Sequence, residues 1–122
     1  MQKIRIKADT IEVHAELNNT KTAQAILEAL PLREKTNIWG EEIYFPIPLE
    51  LELEDGKELV EPGDLGYWPE GHCFCIFFGP TPASLGKEIR AASPVTIFGK
   101  TIGDPKVLKQ VTPDTEISVE LE

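Results

Sequence analysis

Cysteine, histidine and methionine are scarce in this chain of 122 residues, which contains two, two and one of them. Two cysteines cannot build the disulfide framework that supplements the small core of many secreted domains. Cys73 and Cys75 are two residues apart on a predicted strand, so they point the same way but are poorly placed to bond to each other. The sequence therefore predicts free thiols, buried as small hydrophobic groups. Few Asn, Gln, Met and Cys residues beside many Glu residues are also typical of thermophilic proteins.

The chain also lacks a long apolar segment and an excess of positive charge. No stretch approaches the ~18 apolar residues of a membrane helix. Lys and Arg number 12 against 21 Asp and Glu, giving a net charge of −9, which repels phosphate backbones and anionic lipids. The N-terminal run MQKIRIK alternates polar with apolar residues, unlike a signal peptide. We therefore expect a cytoplasmic protein with no membrane or nucleic-acid partner; the oligomeric state stays open.

The apolar pattern predicts a mainly β chain. Period-two alternation and turn residues indicate about eight strands, built from segments 3–7, 11–17, 36–39 with 42–45, 49–54, 57–60, 66–68, 73–78, 94–102 and 115–121. Asp55-Gly56 is typical of a two-residue hairpin between segments 49–54 and 57–60. Since closure removes exposed sheet edges, we expect a single domain over residues 1–122, folded as a small closed or nearly closed β-barrel.

Two helices are predicted within this β framework. The early helix has capping oxygens up to Thr20, then apolar residues at helical spacing from Ala23 to Leu30, and ends at Pro31. The late helix is short, spans residues 105–110, and begins with Asp104 as its cap and a proline at its first position.

The most informative segment is the aromatic run CFCIFFGPTP at residues 73–82, followed by Gly86-Lys87 and by IFGK at residues 97–100. This order of elements resembles the late part of a cyclophilin. Together with WGEEIYF at residues 39–45 and GDLGYWP at residues 63–69, it resembles more closely the small, uncharacterised cyclophilin-like proteins of bacteria and archaea. The resemblance implies a cyclophilin-like barrel, and its best-matched part is residues 73–111.

Cyclophilins isomerise prolyl bonds, and the resemblance allows their catalytic positions to be compared with this chain. Only the catalytic arginine has a counterpart of the same type, Arg33. The other positions carry replacements: Ile38, Trp39 and Glu41 for Phe, Met and Gln; Cys73 and Cys75 for the Gln and Phe of the aromatic strand; Ala83 for Trp; and Glu88 for His. The resemblance therefore implies the scaffold without efficient prolyl isomerase activity.

Strand alternation and the resemblance together indicate where a ligand would bind. Cys73, Cys75 and Phe77 share one face of their strand, while Phe74, Ile76 and Phe78 share the other. In a cyclophilin-like fold the first face borders the outer cleft. The candidate ligand-binding residues are Ile38, Trp39, Glu41, Cys73, Cys75, Phe77 and Glu88, and the catalytic candidate is Arg33. Each tryptophan is alternatively a half-buried packing residue.

Two functions from different classes stay open. One is a binding module that takes a small molecule or an extended peptide in the outer cleft, without a cofactor. The other is an enzyme, either a prolyl isomerase using Arg33 or one with unrelated chemistry using Glu41, Cys75 or Glu88. Cyclophilin-like barrels also occur in bacterial amide-hydrolysing and oxoproline-processing complexes, which suggests a subunit role as a third reading.

Soft ligands and neighbouring carboxylates offer further alternatives, which the sequence does not favour. His72, Cys73 and Cys75 with a glutamate would suit zinc, but no second Cys or His cluster exists. His72 and Cys73, as neighbours in sequence, point to opposite faces of a strand, which disfavours a Cys–His nucleophile. Glu41 and Glu42 diverge for the same reason, so one is expected to be solvated and the other structural. We therefore predict no metal site.

Overall fold

The computed structural model describes residues 2–122, and Met1, the first residue of the predicted domain, lies outside them. These residues form ten strands and two helices: β1 (Lys3–Ala8), β2 (Ile11–Leu17), α1 (Lys21–Ala29), β3 (Leu32–Lys35), β4 (Asn37–Ile38), β5 (Glu42–Pro46), β6 (Lys57–Val60), β7 (Asp64–Trp68), β8 (Cys73–Phe77), β9 (Ile89–Ile102), a 3₁₀ helix (Pro105–Gln110) and β10 (Glu116–Leu121). The predicted mainly β class is confirmed, and the expected eight strands are ten.

The strands form one antiparallel sheet in the order β3-β10-β1-β2-β9-β7-β8-β5-β4, and β6 pairs with β9 off this path. Among the described residues, its end strands β3 and β4 do not pair, so hydrogen bonds do not close the sheet. Of the predicted closed or nearly closed barrel, the closed form is therefore wrong. The two end strands are joined through one residue, Thr36. The covalent chain, rather than a strand ladder, bridges the two ends of the sheet.

Thr36 is fixed by four hydrogen bonds to the segment before β10. Its hydroxyl donates to the Thr112 carbonyl at 2.8 Å and accepts from the Thr115 N–H at 2.9 Å. Its backbone N–H donates to the Thr115 carbonyl, and its carbonyl accepts from the Asp114 N–H. Because Thr36 is buried, its own hydroxyl, N–H and carbonyl groups have little access to water.

One apolar core lies on the inner face of the sheet and joins most strands. Its largest fully buried side chains come from β1, β5, β7, β8 and β9, including a stacked pair, Phe45 and Phe74, with ring centres 4.9 Å apart. Helix α1 covers this core with Ala23 and Ile26. Its cap is Thr20, whose hydroxyl accepts from the Ala23 N–H at 3.0 Å, so the early helix is confirmed with the cap available in the sequence.

Segment 49–54 is not the predicted strand, and Asp55-Gly56 does not form the predicted hairpin, because β6 pairs with β9. Side chains hold this segment instead. The Tyr67 hydroxyl donates to the Leu49 carbonyl at 2.6 Å and accepts from the Leu51 N–H at 3.2 Å. The Glu54 carboxylate accepts from the N–H groups of Lys21 and Thr22 at the start of α1. Alternation alone could not foresee these partners.

The late elements follow the sequence pattern more closely. Pro105–Gln110 is a 3₁₀ helix with Asp104 as its cap, as predicted in position and start. Strand β9 is longer than expected, since it begins at Ile89 rather than at residue 94, and its first half pairs with β6. Among residues 2–122, no helix is both long and apolar enough to cross a membrane.

Replacing Thr36 by valine keeps the shape of the side chain but removes its hydroxyl. We expect Thr36→Val to lower the free energy of unfolding by about 1–3 kcal/mol, because the Thr112 carbonyl and the Thr115 N–H lose a buried partner. Urea denaturation with an unchanged m-value measures this loss. Thr36→Ser keeps the hydroxyl and should lose clearly less. An equal loss in both variants would contradict the role given to these hydrogen bonds.

Candidate functional site

A cavity of about 230 Å³ lies on the outer face of the sheet, between β5, β7, β8 and the first half of β9. We call it the aromatic cavity. Its walls are mostly aromatic or apolar and include one carboxyl group, and they consist of Trp39, Glu42, Tyr44, Trp68, Cys75, Phe77, Ala91, Ala92, Ser93 and Val95.

The floor of the aromatic cavity is the outer face of β8. Alternation confirms the two predicted faces of this strand: Phe74, Ile76 and Phe78 join the inner core, whereas Cys73, Cys75 and Phe77 form a second apolar cluster with β9. Strand β5 pairs antiparallel with β8, so that Glu42 lies opposite Phe77 and Tyr44 opposite Cys75. The register of this pair therefore brings the carboxyl group to the cavity floor.

The far wall of the cavity is β9, which packs closely against β7 and β8 because residue 66 of β7 is a glycine. A Cβ atom on Gly66 would lie 3.0 Å from a methyl group of Val95 and 3.1 Å from the Phe77 ring, so a larger residue would force these walls apart. The indole N–H of Trp68 donates to the Ser93 hydroxyl at 2.6 Å. This bond fixes the Trp68 ring to β9 and satisfies the polar atom of the ring.

Trp39 reaches the cavity from a tight turn between β4 and β5. Gly40 adopts a φ of +61°, and a Cβ there would lie 2.8 Å from the Thr81 Cα atom, so both conformation and space require glycine. The Glu41 N–H donates to the Pro80 carbonyl at 3.0 Å, and the Glu41 carbonyl accepts from the Phe78 N–H at 2.9 Å. The Gly-Pro-Thr-Pro segment after β8 thus braces the turn that carries Trp39.

Among residues 2–122, Glu42 supplies the one carboxyl group that lines the cavity, and its side chain is buried, with 6% of the residue exposed. Burial raises its pKa to about 7, and a hydrogen bond from the Cys75 thiol opposes this shift. Among residues 2–122, no Lys, Arg or His lines the cavity. Glu42 therefore changes its charge near neutral pH in an apolar, aromatic enclosure.

The two thiols beside Glu42 are buried, as the sequence predicted. Burial and the neighbouring Glu42 raise the pKa of Cys73 and raise that of Cys75 well above its usual value. Thiols that stay protonated are poor nucleophiles and poor metal ligands. Within residues 2–122, no group of three His, Cys, Asp or Glu side chains could hold a metal ion, and His72 lies instead 3.7 Å from Glu50.

The structure brings three of the seven ligand-binding candidates together at the cavity, namely Trp39, Cys75 and Phe77. Cys73 packs in the same outer cluster without lining the cavity, and its thiol lies 3.3 Å from the Gly71 carbonyl. Ile38 packs against the inner core.

The charged candidates lie away from the cavity. Glu41 faces Lys109, with 3.4 Å between the carboxylate and the Nζ atom. Glu88 accepts from the N–H groups of Leu85 and Gly86 and so organises its own loop.

Arg33, the catalytic candidate, is also remote from the cavity. It lies on β3, pairs with Glu116 at 3.0 Å, and has 70% of its side chain exposed. It lines a separate, polar depression with Lys7, Asp9 and residues of β10.

Sequence reasoning missed several lining residues, above all Glu42. It expected Glu41 at the cleft and Glu42 elsewhere, but the positive φ of Gly40 breaks the alternation between Trp39 and β5. Counting back from β5 alone would have placed Glu42 and Tyr44 on one face. Residues 91–93 of β9 show no strand pattern in the sequence. For Trp68, the sequence is equally consistent with a residue that only packs.

Comparisons with known proteins agree on one relationship. A family model described as "Cyclophilin-like" matches residues 2–120. The chain is also similar to a hypothetical protein from Archaeoglobus fulgidus, whose structure was determined in solution. The two are 38% identical, the alignment covers 99% of this chain and 95% of that protein, and the TM-score is 0.85. A comparison with curated proteins gave no match.

The raised pKa of Glu42 predicts how stability depends on pH. Between about pH 4.5 and 7, the folded protein keeps a proton that the unfolded chain releases, so the free energy of unfolding falls as pH rises through this window. Glu42→Gln removes this fall. Relative to wild type, we expect the variant to gain on the order of 2–3 kcal/mol between pH 5 and pH 8.

Urea denaturation of both proteins at the two pH values measures the gain. Glu34→Gln, which alters an exposed carboxylate on β3, is the matched control and should change stability by less than about 0.5 kcal/mol at either pH. A Glu42→Gln effect that is the same at pH 5 and pH 8 would contradict the raised pKa.

Proposed function

The chain belongs to the cyclophilin-like family, and on that premise we propose that it is a binding protein that holds a small molecule, or one side chain of an extended peptide, in the aromatic cavity. The observation that carries the proposal is the cavity itself. Two Trp, one Tyr and one Phe surround a buried carboxyl group there. Apolar walls with a few convergent polar groups are typical of ligand sites.

The size of the cavity limits the ligand. Its volume of about 230 Å³ lies below the about 300–1,000 Å³ typical of drug-sized ligands. A small metabolite fits this volume, and a peptide would place only one side chain in it. The raised pKa of Glu42 gives the site a group that donates a hydrogen bond when protonated and attracts a cation when ionised.

The proposal excludes efficient prolyl isomerisation. A catalyst of this reaction must favour the twisted amide over a barrier of about 18–20 kcal/mol, with a donor beside the pocket that holds the proline ring. Arg33 is paired with Glu116 and does not line the aromatic cavity. The remaining cyclophilin positions carry residues of other types.

An enzyme is the second candidate, and the observation that favours it is the pKa of Glu42. A carboxyl group with a pKa of about 7 suits general acid–base catalysis at neutral pH. This candidate predicts conversion of a bound compound during hours of incubation, which the NMR spectrum of the compound would report. The binding-protein proposal predicts recovery of the compound unchanged.

The binding proposal is tested by NMR titration with a library of small neutral and charged fragments. We expect at least one fragment to shift the backbone amides of Glu42, Cys75 and Ser93 with millimolar or better affinity, as very small ligands permit. Ala92 is exposed at the cavity, so Ala92→Phe should fill the mouth and abolish the shifts, while Ala92→Ser should retain them. Shifts that cluster around Arg33, which lines a separate depression, would overturn the assignment of the site.

The absence of isomerase activity has its own test. A protease-coupled assay on a Xaa-Pro peptide should show no acceleration over background at micromolar protein. Arg33→Ala should give the same rate as wild type. Acceleration by wild type that disappears in Arg33→Ala would overturn this part of the proposal.

A further inference from the structure

The walls of the aromatic cavity have a polarity that selects among small ligands. The faces of aromatic rings carry negative electrostatic potential and attract cations, with Trp the strongest and Tyr and Phe next. Four of the lining residues are Trp39, Tyr44, Trp68 and Phe77. A neutral ligand would gain binding free energy by burying apolar surface against these rings. A cation would gain the same and, in addition, the electrostatic attraction of the ring faces.

The carboxyl group of Glu42 points to the same ligand class. The residue is 6% exposed, and no cationic side chain among residues 2–122 lines the cavity, so the protein itself supplies no counter-ion there. A buried carboxylate without an opposite charge is costly. A cation entering the cavity would supply that charge, while an anion would meet both this carboxylate and a protein of net charge −9.

We propose that the aromatic cavity binds a small organic cation, with a free alkylammonium centre placed between the aromatic rings and the Glu42 carboxylate. The inference rests on the proposed binding function and names its ligand class. The commitment is to a free small molecule, whose size matches the cavity volume of about 230 Å³, and a lysine-like side chain of a peptide is the alternative that the experiment distinguishes.

Binding of a cation is coupled to the proton on Glu42. The other titratable groups that face Glu42 are Cys73 and Cys75 on β8 and Tyr44 on β5, and β7 and β9 contribute uncharged lining residues. Arg90 of β9 does not line the cavity and lies near Glu58 and Glu88. Burial keeps both thiols protonated, so the negative charge that attracts a cation comes from ionisation of Glu42.

The sign of the pH dependence follows from this coupling. Below about pH 7 the carboxyl group is mostly protonated, and only its ionised form attracts a cation. Apparent affinity scales with the fraction of the competent form, so a permanent cation should bind about ten-fold more tightly at pH 8 than at pH 6. A quaternary ammonium ion is the suitable probe, because its own charge does not change with pH.

The experiment compares choline with 3,3-dimethylbutan-1-ol, its neutral isostere, by NMR titration of the full chain at pH 6 and pH 8. We expect choline to shift the Glu42 and Ser93 amides and to bind about ten-fold more tightly at pH 8, and the isostere to bind at least about ten-fold more weakly than choline at pH 8. Equal affinity for the two compounds would overturn the proposal.

Two variants separate the contributions of charge and rings. Glu42→Gln should weaken choline binding at pH 8 at least about ten-fold and remove its pH dependence, while Glu34→Gln should leave both unchanged. Trp39→Leu keeps an apolar wall but removes a ring, so it should weaken choline several-fold more than the isostere, which loses only contact area. Choline binding that is insensitive to Glu42→Gln would overturn the proposal.

Other outcomes of these titrations distinguish the failure of this inference from the failure of the proposed binding function. If neutral fragments bind in the cavity and choline does not, the binding function stands and the cation inference fails. If no compound shifts the cavity residues, both fail. A peptide containing trimethyl-lysine should bind more weakly than choline, and tight binding of this peptide without binding of choline would overturn the commitment to a free small cation.

Discussion

Burial of β8 on both faces is the constraint on which the rest of the structure depends. All five residues of the strand, from Cys73 to Phe77, are buried, so each face needs its own cover. The inner face is covered by the core that β1, β2, α1 and β10 enclose. The outer face is covered by β9, whose first half pairs with β6 outside the main sheet order. The aromatic cavity is the part of this second interface that β9 leaves unfilled.

The same arrangement explains why a carboxyl group is buried with no cationic partner from the described part of the chain. Strand β5 lies beside β8, and its register carries Glu42 under β9 together with Tyr44. The free energy of burying the charged form appears as the raised pKa of this residue, so the site is poised between two charge states near neutral pH. In a protein that needed only stability, an apolar residue would fill this place with less cost. The buried carboxyl group of Glu42 is therefore one of the observations that support the proposed binding role of the cavity.

Much of the fold could be predicted from the sequence because local signals and burial agreed. The cap at Thr20 with Pro31 at the other end defined α1, and alternation correctly separated the two faces of β8. The prediction was wrong where side-chain hydrogen bonds or a glycine conformation determine the path of the backbone. Tyr67 and Glu54 hold segment 49–54 in a form that its alternation does not indicate, and the left-handed Gly40 shifts which of two adjacent glutamates faces the cavity. Strand β9 begins before residue 94 because Ile89 and Arg90 pair with Val60 and Leu59 of β6, and the residues that follow Arg90 lie at a register shift in this pairing.

The placement of tryptophan has a practical consequence. The chain contains two tryptophans, and both line the aromatic cavity. The intrinsic fluorescence of the protein therefore originates at the walls of one site, with no background emission from indoles elsewhere in the sequence. One of these emitters lies in a braced turn, and the other is bonded to Ser93 on the opposite strand. Tryptophan emission therefore reports on the surroundings of the aromatic cavity alone.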